Sequence, residues 1–236
     1  MYSSFYAAAR GVIAQQQKLD VTANNLANIN NYGYKNKSVS FSNLMYYNMN
    51  NQYGQDTAMK AGTGVKVEMT NTDFTPEAYT ETDGAYDFAI GGKGFFRLVN
   101  PSSGAVTYTR NGHFSLSQQG NQFYLVNDAG NRVCDRNGNP VIVNNGTFSG
   151  EIGIYQFNIT DGMQSVGDNE FAPTAKNGTP VLVQDGKLIR HALETSGVDM
   201  AEEMTKVIES QRAYSYALRM VQTSDEIVNT VNSLRQ

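Results

Sequence analysis

Chemistry-bearing residues are scarce in this chain of 236 residues, which has two histidines, one cysteine and no tryptophan. The lone Cys134 excludes an internal disulfide and a cysteine-based zinc site, and reads as a small, half-buried side chain. His113, in "RNGHFSL", and His191, in "LIRHALE", are spaced from no second ligand and read as surface or packing histidines. No G-x-S-x-G, P-loop, H-E-x-x-H or paired-cysteine motif occurs. "GGKGFF" at residues 91–96 has the glycines of a phosphate loop, but a strand pattern rather than a helix follows, so a hairpin turn is expected. "DRNGN" at 135–139 lacks the spacing and terminal acidic ligand of a calcium loop. It reads as a turn, and the stretch Arg110, Asn111, Gly112 as a hairpin. The expectation is a protein that is not an enzyme and uses no cofactor or metal.

Charge is sparse too. Eighteen basic against 22 acidic residues give a net charge of -4 and a charged fraction of 17%. No basic excess exists to attract nucleic acid or an anionic membrane. No apolar run approaches the ~20 residues of a membrane helix. The start, "MYSSFYAAARGVIAQQQ", lacks the basic opening and hydrophobic block of a cleavable signal, so the chain is expected to stay inside or to leave by another route.

Pattern, by contrast, is plentiful. Phe5, Ala8, Val12, Gln15, Leu19, Thr22, Leu26 and Ile29 step by three and four, predicting an N-terminal helix with heptad character, ended near Gly33. Met200, Met204, Val207, Gln211, Tyr214, Leu218, Val221, Asp225, Val228 and Asn232 repeat that stepping, and Asp199 followed by Glu202 marks the start of a C-terminal helix. Between them, short runs such as "VKVEM", "YDFAI", "FFRLV", "VTYT", "FYLV", "VIV", "IGIYQF" and "VLV" alternate with "PSSG", "DAGN", "NNG" and "DG" turns, the signature of antiparallel strands. The fold class expected is α+β, with a coiled-coil pair of terminal helices and a central all-β domain. The domains expected are 1–34 and 198–236 as helical assembly domain, 35–64 as a Tyr/Asn-rich connector, and 65–197 as β-domain. Segments like "LMYYNMNNQYGQ" have little to bury and commonly await a partner.

One stretch runs against pattern. "VTANNLANINNYGYKN", residues 21–36, ends a well-formed helix in asparagines, which compete with the helix backbone for its hydrogen bonds. Both seams also carry polar groups such as Gln15, Thr22 and Gln211, which specify register and partner at a cost in stability. Two such helices alone are marginal and are expected to finish folding against neighbouring copies.

The stretches "AQQQKLDVTANNLANINNYGYKN" and "LETSGVDMAEEMTKVIESQRAYSYALRMVQTSDEIVNTV" resemble the N- and C-terminal signatures of the bacterial flagellar rod and hook proteins. "YDFAIGGKGFFRL" and "YTRNGHFSL" are similar to that family's middle motifs, and "GTGVKV" at 62–67 resembles the lead into the β-domain on the distal-rod branch, with the other rod subunits close behind. Hook members usually carry a further inserted domain. The resemblance implies a structural subunit of the basal-body rod, polymerising into a helical tube that transmits torque from motor to hook, and exported unfolded without a cleavable signal peptide to the extracytoplasmic basal body. Its implied partners are further copies of itself, other rod proteins and the hook protein, the export apparatus, and peptidoglycan or ring proteins. Contacts between copies are expected at Leu19, Asn24, Asn25, Leu26, Asn28, Ile29, Met204, Val207, Gln211, Arg212, Leu218, Val221 and Val228. A hook-type subunit is the alternative within the family. A secreted β-domain binding module, engaging a glycan or a surface protein through the turns around Gly91 or Asn139, is the alternative from another class.

Overall fold

The computed structural model describes residues 2–50, 56–144, 146–184 and 186–234. Two long helices bracket a β-rich middle, α1 at Tyr2–Ala27 and α2 at Met200–Ser233. The strands begin with β1 (Lys37–Asn43), β2 (Tyr46–Asn50), β3 (Asp56–Gly62), β4 (Val65–Thr72), β5 (Tyr79–Glu81), β6 (Phe88–Gly91) and β7 (Phe95–Val99). They continue with β8 (Val106–Thr109), β9 (Ser115–Gln119), β10 (Gln122–Val126), β11 (Arg132–Val133), β12 (Ile142–Asn144) and β13 (Thr147–Phe148). The last six are β14 (Ile154–Gln156), β15 (Gln164–Gly167), β16 (Glu170–Ala172), β17 (Val181–Leu182), β18 (Lys187–Arg190) and β19 (Ala192–Glu194). The class is α+β, with antiparallel pairing through the middle.

The chain gathers into two compact units. A helical unit comprises Met1–Ala27, Lys37–Asn71 and Asp199–Gln236; a β unit comprises Asn28–Asn36 and Thr72–Val198. Residues 28–34, expected with the helices, thus fall in the β unit, and most of the expected connector falls in the helical one.

In the helical unit α1 and α2 run antiparallel. Lys18 Nζ lies 3.4 Å from Glu209 Oε2, Asn25 Nδ2 donates to Glu203 Oε2 at 3.1 Å, and Gly11 faces Ala217. Along the α1 seam Thr22 is buried, and Phe5, Ala8, Val12, Gln15, Leu19 and Leu26 are half-buried. α2 starts as its sequence indicates: Asp199 Oδ1 accepts the backbone N–H of Ala201 at 2.8 Å and of Glu202 at 3.2 Å, satisfying donors that the first turn leaves open. Glu202, however, reaches forward to Lys206 at 2.8 Å.

The inward face of α2 departs from the expected seam. Glu203 and Ser210 are buried and Val207, Tyr214, Ala217, Val221 and Val228 half-buried, whereas Met200, Met204, Gln211, Leu218, Asp225 and Asn232 are exposed. The helix carries apolar residues on two faces, and the small side chains of Ser210 and Ala217 let α1 approach closely on one of them. Within the same unit β2 and β3 form an antiparallel ribbon and β1 pairs with β4.

The β unit holds the apolar core. Its main sheet follows the path β13, β12, β10, β11, β7, β8, β16, β15, with β9 on β10 and with β14, carrying β17, on β7. β7 shows why: side chains alternate across a strand, so Phe96 and Leu98 enter one cluster with Phe88, Phe114 and Ile154, while Phe95 enters another with Tyr108, Tyr155 and Phe157. Edge-on ring contacts knit both, Phe96 to Phe114 at 5.2 Å and Tyr108 to Phe157 at 4.8 Å.

The turns at 100–105 and 127–131 close the hairpins β7–β8 and β10–β11. At 135–139, Asp135 Oδ1 accepts the N–H of Asn137 and of Asn139, each at 2.8 Å, as turn chemistry requires. Two expected hairpins are absent. Residues 91–94 join β6, which pairs with β18, to β7 in the main sheet, and residues 110–112 join β8 to β9, which pairs with β10. Short glycine-rich links suit a move to another sheet or to a non-adjacent strand as well as a hairpin, so local sequence does not separate them.

Gly112 sits where a Cβ would lie 1.7 Å from the Phe88 carbonyl oxygen, a backbone atom that cannot move aside. Gly112→Ala is expected to destabilise the β unit by about 3 kcal/mol or more, measured by urea unfolding. Burial also pushes the Cys134 thiol up to about 11, with Arg97 opposing. Because the folded thiol ionises later than the unfolded one, its contribution to stability is lost as pH rises from about 9 towards 11. Cys134 should therefore react with a thiol reagent at pH 8 at least about a hundredfold more slowly in the native chain than in urea.

Candidate assembly surface and a buried ion cluster

The asparagines at the end of α1 and just beyond it do not fray. Asn25 is buried; its Oδ1 accepts the Lys37 N–H at 3.1 Å and its Nδ2 donates to the Lys37 carbonyl at 2.7 Å, pairing with main chain as a strand would. The same Nδ2 reaches Glu203, whose Oε1 accepts from Lys206 at 2.8 Å. Asn25, expected at contacts between copies, uses its amide inside the chain, where a buried amide must find partners. Asn28 is half-buried, its Oδ1 accepting from Asn31 Nδ2 at 2.6 Å and its carbonyl from Ser196 Oγ at 3.1 Å. Asn24 is exposed on α1.

Beyond them the chain enters an ion cluster that sequence reading missed. Glu194, at the end of β19, is wholly buried between Lys35 Nζ on Oε1 and Arg110 Nε on Oε2, each at 2.7 Å. Glu194 Oε1 also accepts the Glu77 N–H at 2.9 Å, Lys35 donates to the Thr75 carbonyl, and Arg110 Nη1 donates to the carbonyls of Gly92 and Gly94 at 2.8 and 2.7 Å. Burial pulls the Lys35 ammonium below its ordinary value, against the attraction of Glu194. Gly33 is part of this arrangement: its N–H donates to the Glu194 carbonyl at 2.8 Å, its φ is +66°, and a Cβ would meet the Asn111 nitrogen at 2.5 Å. Gly33 is thus a docking position. Arg110, read as a hairpin residue, is 1% exposed. No local signal marks it, because an arginine between "YT" and "NG" suits an exposed turn equally well.

His113 Nδ1 lies 2.9 Å from Asp87 Oδ1, and His191 Nδ1 lies 3.1 Å from the Gly84 carbonyl. Both histidines are exposed packing groups.

The outward faces of the helices carry the opposite chemistry. Tyr6 and Ile13 on α1, and Met200, Ile208, Tyr216 and Met220 on α2, are each more than half exposed, and Met204, Leu218 and Ile227 lie beside them. Ile208, Arg212 and Tyr216 line two adjoining surface grooves. Of the residues expected at contacts between copies, Asn24, Met204, Gln211, Arg212 and Leu218 face solvent, and Leu19, Leu26, Ile29, Val207, Val221 and Val228 are half-buried. Among the described residues no helix is long and apolar enough to cross a membrane.

Three stretches match family models: residues 5–35 the flagella basal body rod protein, 89–167 the flagellar hook protein FlgE/F/G D1 domain, and 189–234 the flagellar basal body rod FlgEFG protein C-terminal. The flagellar basal-body rod protein FlgG of Buchnera aphidicola subsp. Schizaphis graminum is 31% identical over 265 residues, covering 99% of this chain and 100% of the relative. The chain belongs to the flagellar basal-body rod protein family. FlgG of Caulobacter vibrioides is 31% identical over 256 residues, 97% of each chain, and FlgF of that bacterium 30% over 246, covering 96% of this chain and 95% of its own length. As a member of the rod family the chain is a structural subunit of the flagellar basal body, not an enzyme. Lys35, Arg110 and Glu194 come one from each of the three matched stretches, so the rod family's separate signatures meet at one carboxylate.

Removing one partner of a buried ion cluster leaves charge without compensation. Glu194→Gln, which strands both Lys35 and Arg110, is expected to cost about 3–5 kcal/mol in urea unfolding of the β unit.

Proposed function

We propose that this rod subunit polymerises through its helical unit into a helical tube that transmits torque from motor to hook. The supporting observation is an inversion of polarity. Among the described residues, every buried apolar side chain except Ala14 belongs to the β unit, while the buried side chains of α1 and α2 are Ala14, Thr22, Asn25, Glu203 and Ser210. Two of the half-buried and buried polar atoms there, Gln15 Oε1 and Ser210 Oγ, have no hydrogen-bond partner. Large apolar residues lie outside instead, and each is worth ~1.5–3 kcal/mol when water is removed from it. Neighbouring copies supply that burial.

In the polymer, α1 and α2 complete a coiled-coil layer through repeated contacts that do not close on themselves, the geometry that generates helical filaments. Met204, Gln211, Arg212, Leu218 and Asn24 contribute outward contacts. Leu19, Leu26, Ile29, Val207, Val221 and Val228 finish burying once copies pack. Asn28, hydrogen-bonded within the chain to Asn31 and Ser196, also contacts a neighbouring copy. The β unit sits as an independently cored module, with the helices and residues 37–71 as the assembly portion. Other rod proteins, the hook protein, the export apparatus, and peptidoglycan or ring proteins are the proposed partners. Export as an unfolded thread fits a chain whose single cysteine forms no internal cross-link.

Ile208→Glu combined with Met220→Glu tests this reading. Both sites are exposed in the single chain, so its circular dichroism and melting should shift by no more than about 0.5 kcal/mol. Tubes or oligomers, followed by sedimentation and negative-stain microscopy, should be lost. Tubes forming at an unchanged critical concentration would contradict the proposal.

A further inference from the structure

The β unit carries an open cavity of about 400 Å³, within the ~300–1,000 Å³ range of small-ligand sites. Four loop stretches, 28–32, 109–113, 127–128 and 168–169, supply its walls. They are tied to one another: Asn169 Nδ2 donates to the Tyr32 carbonyl at 3.1 Å, and Thr109 Oγ1 donates to the Asn169 carbonyl at 2.8 Å. The cavity is therefore held open by hydrogen bonds across elements.

Its lining is unlike an ordinary solvent-filled gap. His113 Nδ1 lies 2.9 Å from Asp87 Oδ1, and a neutral ring that donates there has Nε2 left as an acceptor. Asn111 Oδ1 accepts the His113 N–H at 3.1 Å, which leaves Nδ2 as a donor. The carboxylates of Asp128 and Asp168 are exposed, and neither takes part in a hydrogen bond or ion pair among the described residues. Tyr32, partly exposed, adds an aromatic ring.

These groups select among ligands. A metal ion is disfavoured, because no cluster of three His, Cys, Asp or Glu groups among the described residues could hold one. A guanidinium or ammonium offers only donors and would set another donor against Asn111 Nδ2. A hydroxyl both donates and accepts, and so answers the carboxylates, the imidazole nitrogen and the amide alike. A pyranose ring presents several hydroxyls at once, with an apolar face suited to an aromatic side chain.

We propose that this cavity binds a neutral saccharide. Asp128 and Asp168 accept from sugar hydroxyls, Asn111 Nδ2 donates to one, His113 Nε2 accepts from another, and the Tyr32 ring covers one face.

Saturation-transfer difference NMR on the full chain, with cellotriose and triacetylchitotriose as probes, tests the site whether or not the chain polymerises. At least one probe should show transfer that falls at least about fivefold in Asp128→Asn/Asp168→Asn and in Asn111→Ala, variants checked for native circular dichroism. His113→Gln gives a further check at an exposed position. Three results would overturn the proposal: no transfer to either trisaccharide, transfer unchanged in every folded variant, or transfer to L-arginine methyl ester with none to the saccharides.

Discussion

Water drives apolar side chains inward, and in this chain only the β unit fully satisfies that demand. Phe96, Leu98, Leu125 and Val133 are sealed within it. The helical unit instead encloses Asn25, Glu203, Thr22 and Ser210 and turns Ile208, Tyr216 and Met220 to solvent. Helix stability in proteins comes mostly from packing an amphipathic face, not from propensity. A pair built this way leaves its main source of stability unused within the single chain, and in the proposed polymer other copies supply it. The polar interior then acts as specification: Asn25 fixes Lys37 and Glu203 in one register, and a displaced register would leave that buried amide without partners.

The Glu194 cluster serves the β unit in a comparable way. A buried ion pair gives little net stability relative to well-packed apolar groups, because desolvation offsets attraction. What the cluster supplies is position. Lys35 anchors residues 28–36, Arg110 anchors the link after β8 and reaches the carbonyls of Gly92 and Gly94, and Glu194 closes β19. Segments far apart in sequence are held to one carboxylate, which accounts for three family signatures in one polypeptide meeting at a single point.

Much of this was legible in the sequence where a local rule decides the outcome. The Asp199 cap, the presence of α1, though it ends at Ala27 rather than near Gly33, and strands such as "FFRLV" and "VTYT" follow from capping and periodicity alone. What failed depended on tertiary context. α2 has apolar residues at heptad positions and also at Ile208, Tyr216 and Met220, so periodicity offers two faces and only the close approach of α1 selects one. "GGKG" and "RNG" have turn composition, yet the first passes to another sheet and the second to a non-adjacent strand of the main sheet, which no hairpin rule distinguishes. Arg110 and Lys35 look like ordinary surface charges until the fold surrounds them.

The proposed assembly requires helices that are incomplete in the isolated molecule. Hydrogen exchange read by mass spectrometry, on the same chain at dilute and at polymerising concentration, tests that directly. Amides of β6, β7 and β8 should be protected equally in both, while those of α1 and α2 should exchange quickly when dilute and become protected only on assembly. Helices as strongly protected in the dilute, unassociated chain as the β core would contradict it.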